Sequence, residues 1–486
     1  MERRLSDILG YFPAGDQKKI TGLTADSRAV RPGFVFAALC GLNFDGRDYI
    51  PDAIKAGAVA ILTTDELVRD AENVSLIIDS NPRRKYSEML ARFYNRQPTY
   101  MAAVTGTNGK SSVAEFCRQI WVSHGSKAAS LGTIGVIADG YKKPGGLTTP
   151  DPADLHATLA DLSDFGISHA AMEVSSHGLS QFRADGVAFQ VAGFTNLSRD
   201  HLDYHGTMTS YFLEKARLFG DILKPGGTAV VHGDDQWSRQ LVELCRGRGI
   251  KCFRVGMFEG ADIQLLSSQP HPLGQSCVLR HADRSYDVEI PLIGSFQVEN
   301  IMVAMGLVMA SGLVFSEACQ AISNLTGVPG RMERVGETSS GGLVYVDYAH
   351  TPAGLETVLK AARAHNPAKL HVVFGCGGDR DKGKRPEMGA ISNDYADEIW
   401  IADDNPRSED AGTIRSEIIS ACPSGNNIGD RAAAIKSALD ALSHDDILII
   451  AGKGHEEGQI VGDAVLPFSD VKTAQDYIAH QKGDAR

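Results

Sequence analysis

No two cysteines of this chain stand in C-x-x-C spacing; the eight it has are scattered at 40, 117, 245, 252, 277, 319, 376 and 422. That pattern suggests neither a zinc site nor a disulfide framework, and it fits a reducing cytoplasm. Long apolar runs are missing as well, none approaching the roughly 20 residues that cross a bilayer. The opening Met1-Glu2-Arg3-Arg4-Leu5-Ser6-Asp7 lacks the apolar core of a signal peptide. The expectation is a cytoplasmic chain with no stable membrane association. There is no basic excess: 48 Lys and Arg stand against 60 Asp and Glu, a formal net charge of −12. A nucleic-acid surface normally shows a basic footprint, so no nucleic-acid partner is expected. An anionic nucleotide would need local lysines and arginines against that field. Neither an internal repeat nor a low-complexity linker is visible.

What is present is alternation. Short apolar and β-branched runs at residues 59–62, 75–79, 102–105, 228–231, 343–347, 370–374, 398–402 and 447–451 are separated by helical stretches. Several are continuous, which indicates strands buried on both faces, and the class is α/β. At 486 residues the chain is too long for one core, and roughly three domains are expected. Breaks are expected at residues 94–98 and near residues 327–331, where Gly and Pro punctuate the pattern.

One stretch carries the most chemistry. Gly106-Thr107-Asn108-Gly109-Lys110-Ser111-Ser112 follows the apolar run ending at Val104 and Thr105, and helix-compatible periodicity begins at Val113. A Gly-rich turn ending in Gly-Lys-Ser at a helix N-terminus presents N–H groups, an ammonium and a hydroxyl to nucleotide phosphates and Mg²⁺. Val104 stands where the general phosphate-loop pattern has its first glycine, so the turn alone is also compatible with an ordinary strand-to-helix loop. Two further clusters add to it. Residues 172–179 place Glu173 after an apolar stretch, either as a strand-end Mg²⁺ ligand or as a solvated carboxylate. Residues 195–206 crowd His201, His205, Asp200, Asp203 and Arg199 into one segment.

Together these three stretches resemble the Mur ligases, ATP-dependent enzymes that form amide bonds in peptidoglycan precursor synthesis, and the resemblance runs along the whole chain. It implies three domains: a UDP-substrate-binding domain at 1–98, a central ATP-binding domain at 99–331, and a C-terminal Rossmann-like domain at 332–486. It implies ATP as co-substrate and two Mg²⁺ ions held by Ser111, Glu173, His201 and a carbamylated Lys215. Lys110 would hold the ATP phosphates, and Lys110, Glu173, His201 and Lys215 would form the catalytic set. A carbamate makes chemical sense there, because an ammonium beside Mg²⁺ is repelled and its CO₂ adduct can ligate.

Further contacts follow from the same resemblance. Asn300, Arg331 and Asp347 would meet adenine, phosphate and ribose, with Gln297 departing from the usual asparagine. Ser27 would meet uridine, and Thr148, Thr149, Ser175, Gln181 and Arg183 would hold the muramoyl peptide. Asp404-Asn405-Pro406-Arg407, with Arg380, Gly452 and Glu456, would form an amino-acid pocket. An amide and a guanidinium on a stiff turn suit a carboxylate and an ammonium. Diaminopimelate has one carboxylate more than lysine, so Arg407 favours it. The implied substrates are UDP-MurNAc-L-Ala-D-Glu and meso-2,6-diaminopimelate, joined through an acyl phosphate by a monomeric enzyme; a Mur ligase adding L-lysine or another diamine is the alternative.

Overall fold

The computed structural model describes residues 1–10, 18–41, 44–64 and 73–484, and each of the eight apolar runs lies in or overlaps a strand. The chain divides into two compact units, residues 1–262 with 302–315, and residues 263–301 with 316–486.

Besides an antiparallel pair of Arg3–Arg4 with Lys19–Ile20, the first unit holds two sheets. The smaller has four parallel strands, β1 (Gly22–Thr24), β2 (Phe34–Ala37), β3 (Ala60–Thr63) and β4 (Ser75–Ile78), side by side in that order. Helix α1 (Pro82–Tyr94) follows, opened by Pro82 and capped by Asn81, whose side chain accepts the Arg84 N–H. As an edge strand β4 buries only Ile77 and leaves Leu76 and Ile78 exposed, so this run is not covered on both faces.

In the larger sheet β5 (Tyr100–Thr105) leads into helix α2 (Lys110–Ser123), then β6 (Ala128–Gly132), β7 (Gly135–Ala138) and β8 (Tyr141–Pro144). Helix α3 (Pro152–Asp164), β9 (His169–Glu173), β10 (Val191–Phe194), helix α4 (Met208–Arg217), β11 (Thr228–His232) and β12 (Lys251–Gly256) follow within this unit. The spatial order is β8-β7-β6-β9-β5-β10-β11-β12, parallel except where β7 pairs with β6 and β8. Strand β5 therefore lies between β9 and β10, with Val104 opposite both Glu173 and Gly193. The connections turn to opposite sides at this strand, and the carboxyl ends of strands at such a reversal are where parallel sheets bind ligands. Gln97 bonds Ala188 through both ends of its amide (3.0 and 3.1 Å), and Ser87 Oγ donates to the Arg183 carbonyl (3.2 Å).

The second unit contains an antiparallel meander, β13 (Ile263–His271), β14 (Gly274–His281) and β15 (Arg284–Ile290). Its main sheet uses β16 (Glu333–Glu337), β17 (Leu343–Asp347), β18 (Leu370–Phe374), β19 (Glu398–Ile401), β20 (Asn426–Asn427) and β21 (Ile447–Ala451) in the order β16-β17-β21-β18-β19-β20. Only β16 is antiparallel. Every residue of β17, β18 and β21 is buried, as continuous apolar runs predict. Each fully buried Val, Leu or Ile here contributes about 1.5–3 kcal/mol relative to exposure. A hairpin, β22 (Gly458–Val461) and β23 (Ala464–Pro467), follows β21. No helix among the described residues is long and apolar enough to cross a membrane.

Candidate functional site

Strand β5 ends at Thr105, and the chain turns through Gly106 (φ +149°) and Gly109 (φ +85°) into α2. Both angles fall where side chains are strained, and a Cβ on Gly106 would sit 1.9 Å from Thr195 Oγ1. The turn is fastened from β10's end: Thr107 N–H donates to the Asn196 carbonyl (2.9 Å) and Asn108 N–H to Asn196 Oδ1 (3.0 Å). The first N–H groups of α2 have no partner within the helix and carry the positive end of its dipole, so the loop is fit to cradle phosphate. Lys110 Nζ meanwhile donates to the carbonyls of Gly106 (3.1 Å) and Thr107 (2.8 Å).

Glu173 closes β9 beside this turn and is buried. Its Oε1 accepts from Ser111 Oγ and from Thr133 N–H, both at 2.9 Å. Lys215, on α4, is wholly buried and donates to the Gly106 carbonyl at 2.7 Å. Burial, and after it the Lys110 ammonium, pushes its amine well below the usual lysine range. His201 is exposed on the rim in a left-handed backbone conformation (φ +51°), its ring 4.8 Å from that of His177 and 6.2 Å from that of Tyr211. Tyr211 in turn lies under Lys215 Nζ at 4.4 Å.

These residues fit a hard divalent ion. Ser111 Oγ and Glu173 Oε1 are adjacent oxygen donors of the kind Mg²⁺ takes. Among the described residues no group of three or more His, Cys, Asp or Glu is placed to hold a metal. A cation here therefore depends on Ser111, and a Lys215 carbamate would add the oxygen donors that an amine lacks.

The expected muramoyl-peptide residues form one network next to Glu173. Thr149 Oγ1 donates to the Glu173 carbonyl (3.3 Å), accepts the Ser175 N–H (2.9 Å) and meets Ser175 Oγ (3.1 Å). Arg183 donates to the Thr149 carbonyl (2.7 Å) and to Gln181 Oε1 (2.6 Å). Thr148 Oγ1 meets Thr133 Oγ1 at 2.9 Å, which joins this network to the Glu173 carboxylate. Ser27 stands apart on a short 3₁₀ turn capped by Asp26, with no hydrogen bond to the network among the described residues.

In the second unit, Asn300 Nδ2 donates to Gln297 Oε1 (3.4 Å) in helix α5 (Ser295–Ala310). Gln297 Nε2 is buried without a hydrogen-bond partner among the described residues. The Arg331 guanidinium lies over the Tyr348 ring at 4.4 Å. Asp347, at the end of β17, accepts the Met332 and Ala349 N–H groups, both at 2.7 Å, so its carboxylate organises the loops around it. Burial raises its pKa above the usual carboxylate value.

The Asp404–Arg407 loop follows β19. Arg407 has φ +51° and donates to the Gly378 carbonyl at 2.7 Å. A Cβ on Gly378 would stand 1.9 Å from the Pro406 carbonyl oxygen, which is why two glycines face this loop. Asn405 Nδ2 donates to Glu456 Oε2 (3.1 Å), and Gly452 (φ +115°) brings the segment after β21 against Asp404. Asp404, Asn405, Pro406, Arg407, Gly452 and Glu456 thus lie together at the carboxyl ends of parallel strands. Arg380 is exposed, and among the described residues its one side-chain hydrogen bond is to the Asp379 carbonyl (3.3 Å).

Sequence reasoning missed Thr133 and Lys453. Thr133 lies in a turn with no motif of its own, and its role comes from sheet order alone. Lys453 is inside a motif already singled out, and its complete burial was the missing signal.

Comparison with known proteins agrees with this geometry. Residues 19–98 match the model for "Mur ligase family, catalytic domain", residues 104–308 that for "Mur ligase middle domain", and residues 330–454 that for "Mur ligase, glutamate ligase domain". The chain is 48% identical over 465 residues, 96% of its length and 94% of the relative's, to the "UDP-N-acetylmuramoyl-L-alanyl-D-glutamate--2,6-diaminopimelate ligase" of Agrobacterium fabrum. It is 46% identical to the Caulobacter vibrioides protein of the same name, over 97% and 98% of the two chains. A solved structure of a ligase of that name superposes with a TM-score of 0.77 at 32% identity, covering 99% of this chain and all of that one. MurF ligase from Thermotoga maritima in complex with ADP, at 18% identity and TM-score 0.62, shares the fold. With family models along most of its length and near-half identity to relatives over almost all of it, this chain belongs to the Mur ligase family.

Proposed function

We propose that this chain is the ligase that joins meso-2,6-diaminopimelate to the D-glutamyl γ-carboxylate of UDP-N-acetylmuramoyl-L-alanyl-D-glutamate with hydrolysis of ATP, acting in the cytoplasm. The observation that carries the reading is the pocket of Asn405, Arg407 and Glu456, which offers an amide, a guanidinium and a carboxylate to a diamino diacid. The names of relatives nearly half identical over the whole chain support it. The spans 1–98, 99–331 and 332–486 remain the proposed domains.

The chemistry follows from the residues. Lys110 leaves the Gly106 and Thr107 carbonyls for the ATP phosphates. Ser111, Glu173, His201 and carbamylated Lys215 would hold Mg²⁺. Two such ions would supply neutralisation of the charge on the transferring phosphoryl group. Arg183, with Thr149 and Ser175, orients the acceptor near Glu173. Its γ-carboxylate attacks the terminal phosphorus and gives an acyl phosphate and ADP. Asn405 and Arg407 take the distal carboxylate of diaminopimelate and Glu456 the ammonium beside it. The other amine then displaces phosphate through a tetrahedral intermediate.

Phosphate release tests this. ATP, Mg²⁺, the UDP-muramoyl dipeptide and meso-diaminopimelate should release phosphate stoichiometrically with amide, while lysine in place of diaminopimelate should give little. Equal release with lysine, or none with diaminopimelate, refutes the reading.

A further inference from the structure

Lys453 is among the charged residues that this fold buries completely. Its side chain is fully buried, which is rare for lysine without dedicated partners. Those partners are two pocket residues: Nζ donates to Asn405 Oδ1 at 3.0 Å and to Glu456 Oε2 at 3.1 Å. Asn405 Nδ2 donates to the same Glu456 oxygen at 3.1 Å, which closes a ring of three hydrogen bonds. Asn405 Oδ1 also accepts the Ile460 N–H at 2.9 Å.

This ring removes two freedoms. With two donors on its oxygen, the Asn405 amide cannot flip, so its NH₂ stays turned to Glu456. With two donors on Oε2, the Glu456 carboxylate is held by one oxygen, while Oε1 has no hydrogen-bond partner among the described residues. Glu456 keeps a partly exposed side chain, 35% accessible.

We infer that Lys453 is the positioning residue of the diamino-acid pocket: its buried ammonium fixes Asn405 and Glu456 so that Glu456 Oε1 receives the ammonium of the incoming amino acid. The inference rests on the proposed diaminopimelate reaction. Lys453 acts through Glu456, so its removal weakens recognition of the amino acid and leaves nucleotide binding alone.

Steady-state kinetics of the full chain test it, with ATP, UDP-muramoyl dipeptide and meso-diaminopimelate varied in turn. Lys453→Met should raise the KM for diaminopimelate about tenfold or more, with the other two KM values within about twofold of the parent. In a Glu456→Gln background the same substitution should add less than about twofold. An unchanged KM for diaminopimelate, a parallel rise in all three, or full additivity with Glu456→Gln overturns the inference. If Lys453→Met is recovered unfolded, Lys453→Arg keeps the buried cation but cannot bridge both oxygens from one atom. It should show the same selective rise, and a parental KM for diaminopimelate in that variant overturns the inference equally. A parent chain that releases no phosphate with diaminopimelate refutes the proposed reaction instead, and this inference falls with it.

Discussion

Lys110 and Lys215 donate to one and the same oxygen, the carbonyl of Gly106, at 3.1 and 2.7 Å. Two ammonium groups on one acceptor oppose each other, and the buried one yields: burial and Lys110 lower the pKa of Lys215. A neutral amine is the form that adds CO₂. The resulting carbamate reverses the sign of the charge, attracting both Lys110 and a divalent ion.

Lys215→Ala should therefore abolish turnover while leaving the fold intact, and short-chain carboxylates in the assay should restore part of it. Full activity in the unrescued variant would remove Lys215 from the mechanism.

Gly132 tests the Glu173 carboxylate without touching it. A Cβ at Gly132 would lie 1.9 Å from Glu173 Oε1, the oxygen that also accepts from Ser111 and Thr133. Gly132→Ala should displace the carboxylate and lower kcat by about a hundredfold, the scale on which a misplaced catalytic group acts. An Ala variant with parental kcat would show that Glu173 need not keep this position.

The sequence announced the strands well, because β17, β18 and β21 are covered on both faces and their apolar runs are unbroken. It announced Lys110, Ser111 and Glu173 through motifs whose spacing is local. What it withheld depends on strand order: that Thr133 and Thr148 join Glu173 to Thr149 and Arg183 follows from β9 lying between β6 and β5. The bonding of Gln97 to Ala188 was hidden for a similar reason, since the two meet only in the folded chain. Arg380 shows the opposite case, a motif residue that the fold leaves exposed.

His156, on α3, gives a pH prediction. It is buried, its Nε2 has no hydrogen-bond partner among the described residues, and desolvation lowers its pKa from 6.5 to about 4. The native state therefore holds the imidazole neutral, while the unfolded chain takes up a proton below pH 6.5. Stability from this group is complete above pH 6.5 and is lost as the pH falls towards 4, by about 3 kcal/mol at one pKa unit per 1.36 kcal/mol. His156→Gln should flatten that part of the profile. Thermal unfolding followed from pH 7 to 4.5 in both proteins isolates the difference, and superimposable profiles would refute the assignment.

Arg407 should decide which amino acid is used. Its backbone sits at φ +51° and its guanidinium is steadied by the Gly378 carbonyl, so its orientation is set before any substrate arrives. A charge-assisted hydrogen bond of this kind contributes about 1.5–3 kcal/mol, or roughly 10- to 150-fold in affinity. Arg407→Ala should raise the KM for diaminopimelate within that range and leave the KM for ATP nearly unchanged. The preference for diaminopimelate over lysine in kcat/KM should shrink by a similar factor, because lysine lacks the carboxylate that the guanidinium would pair. A variant in which the KM values for ATP and diaminopimelate rise together would assign Arg407 to holding the loop against Gly377 and Gly378, and would leave the choice of amino acid to Asn405 and Glu456.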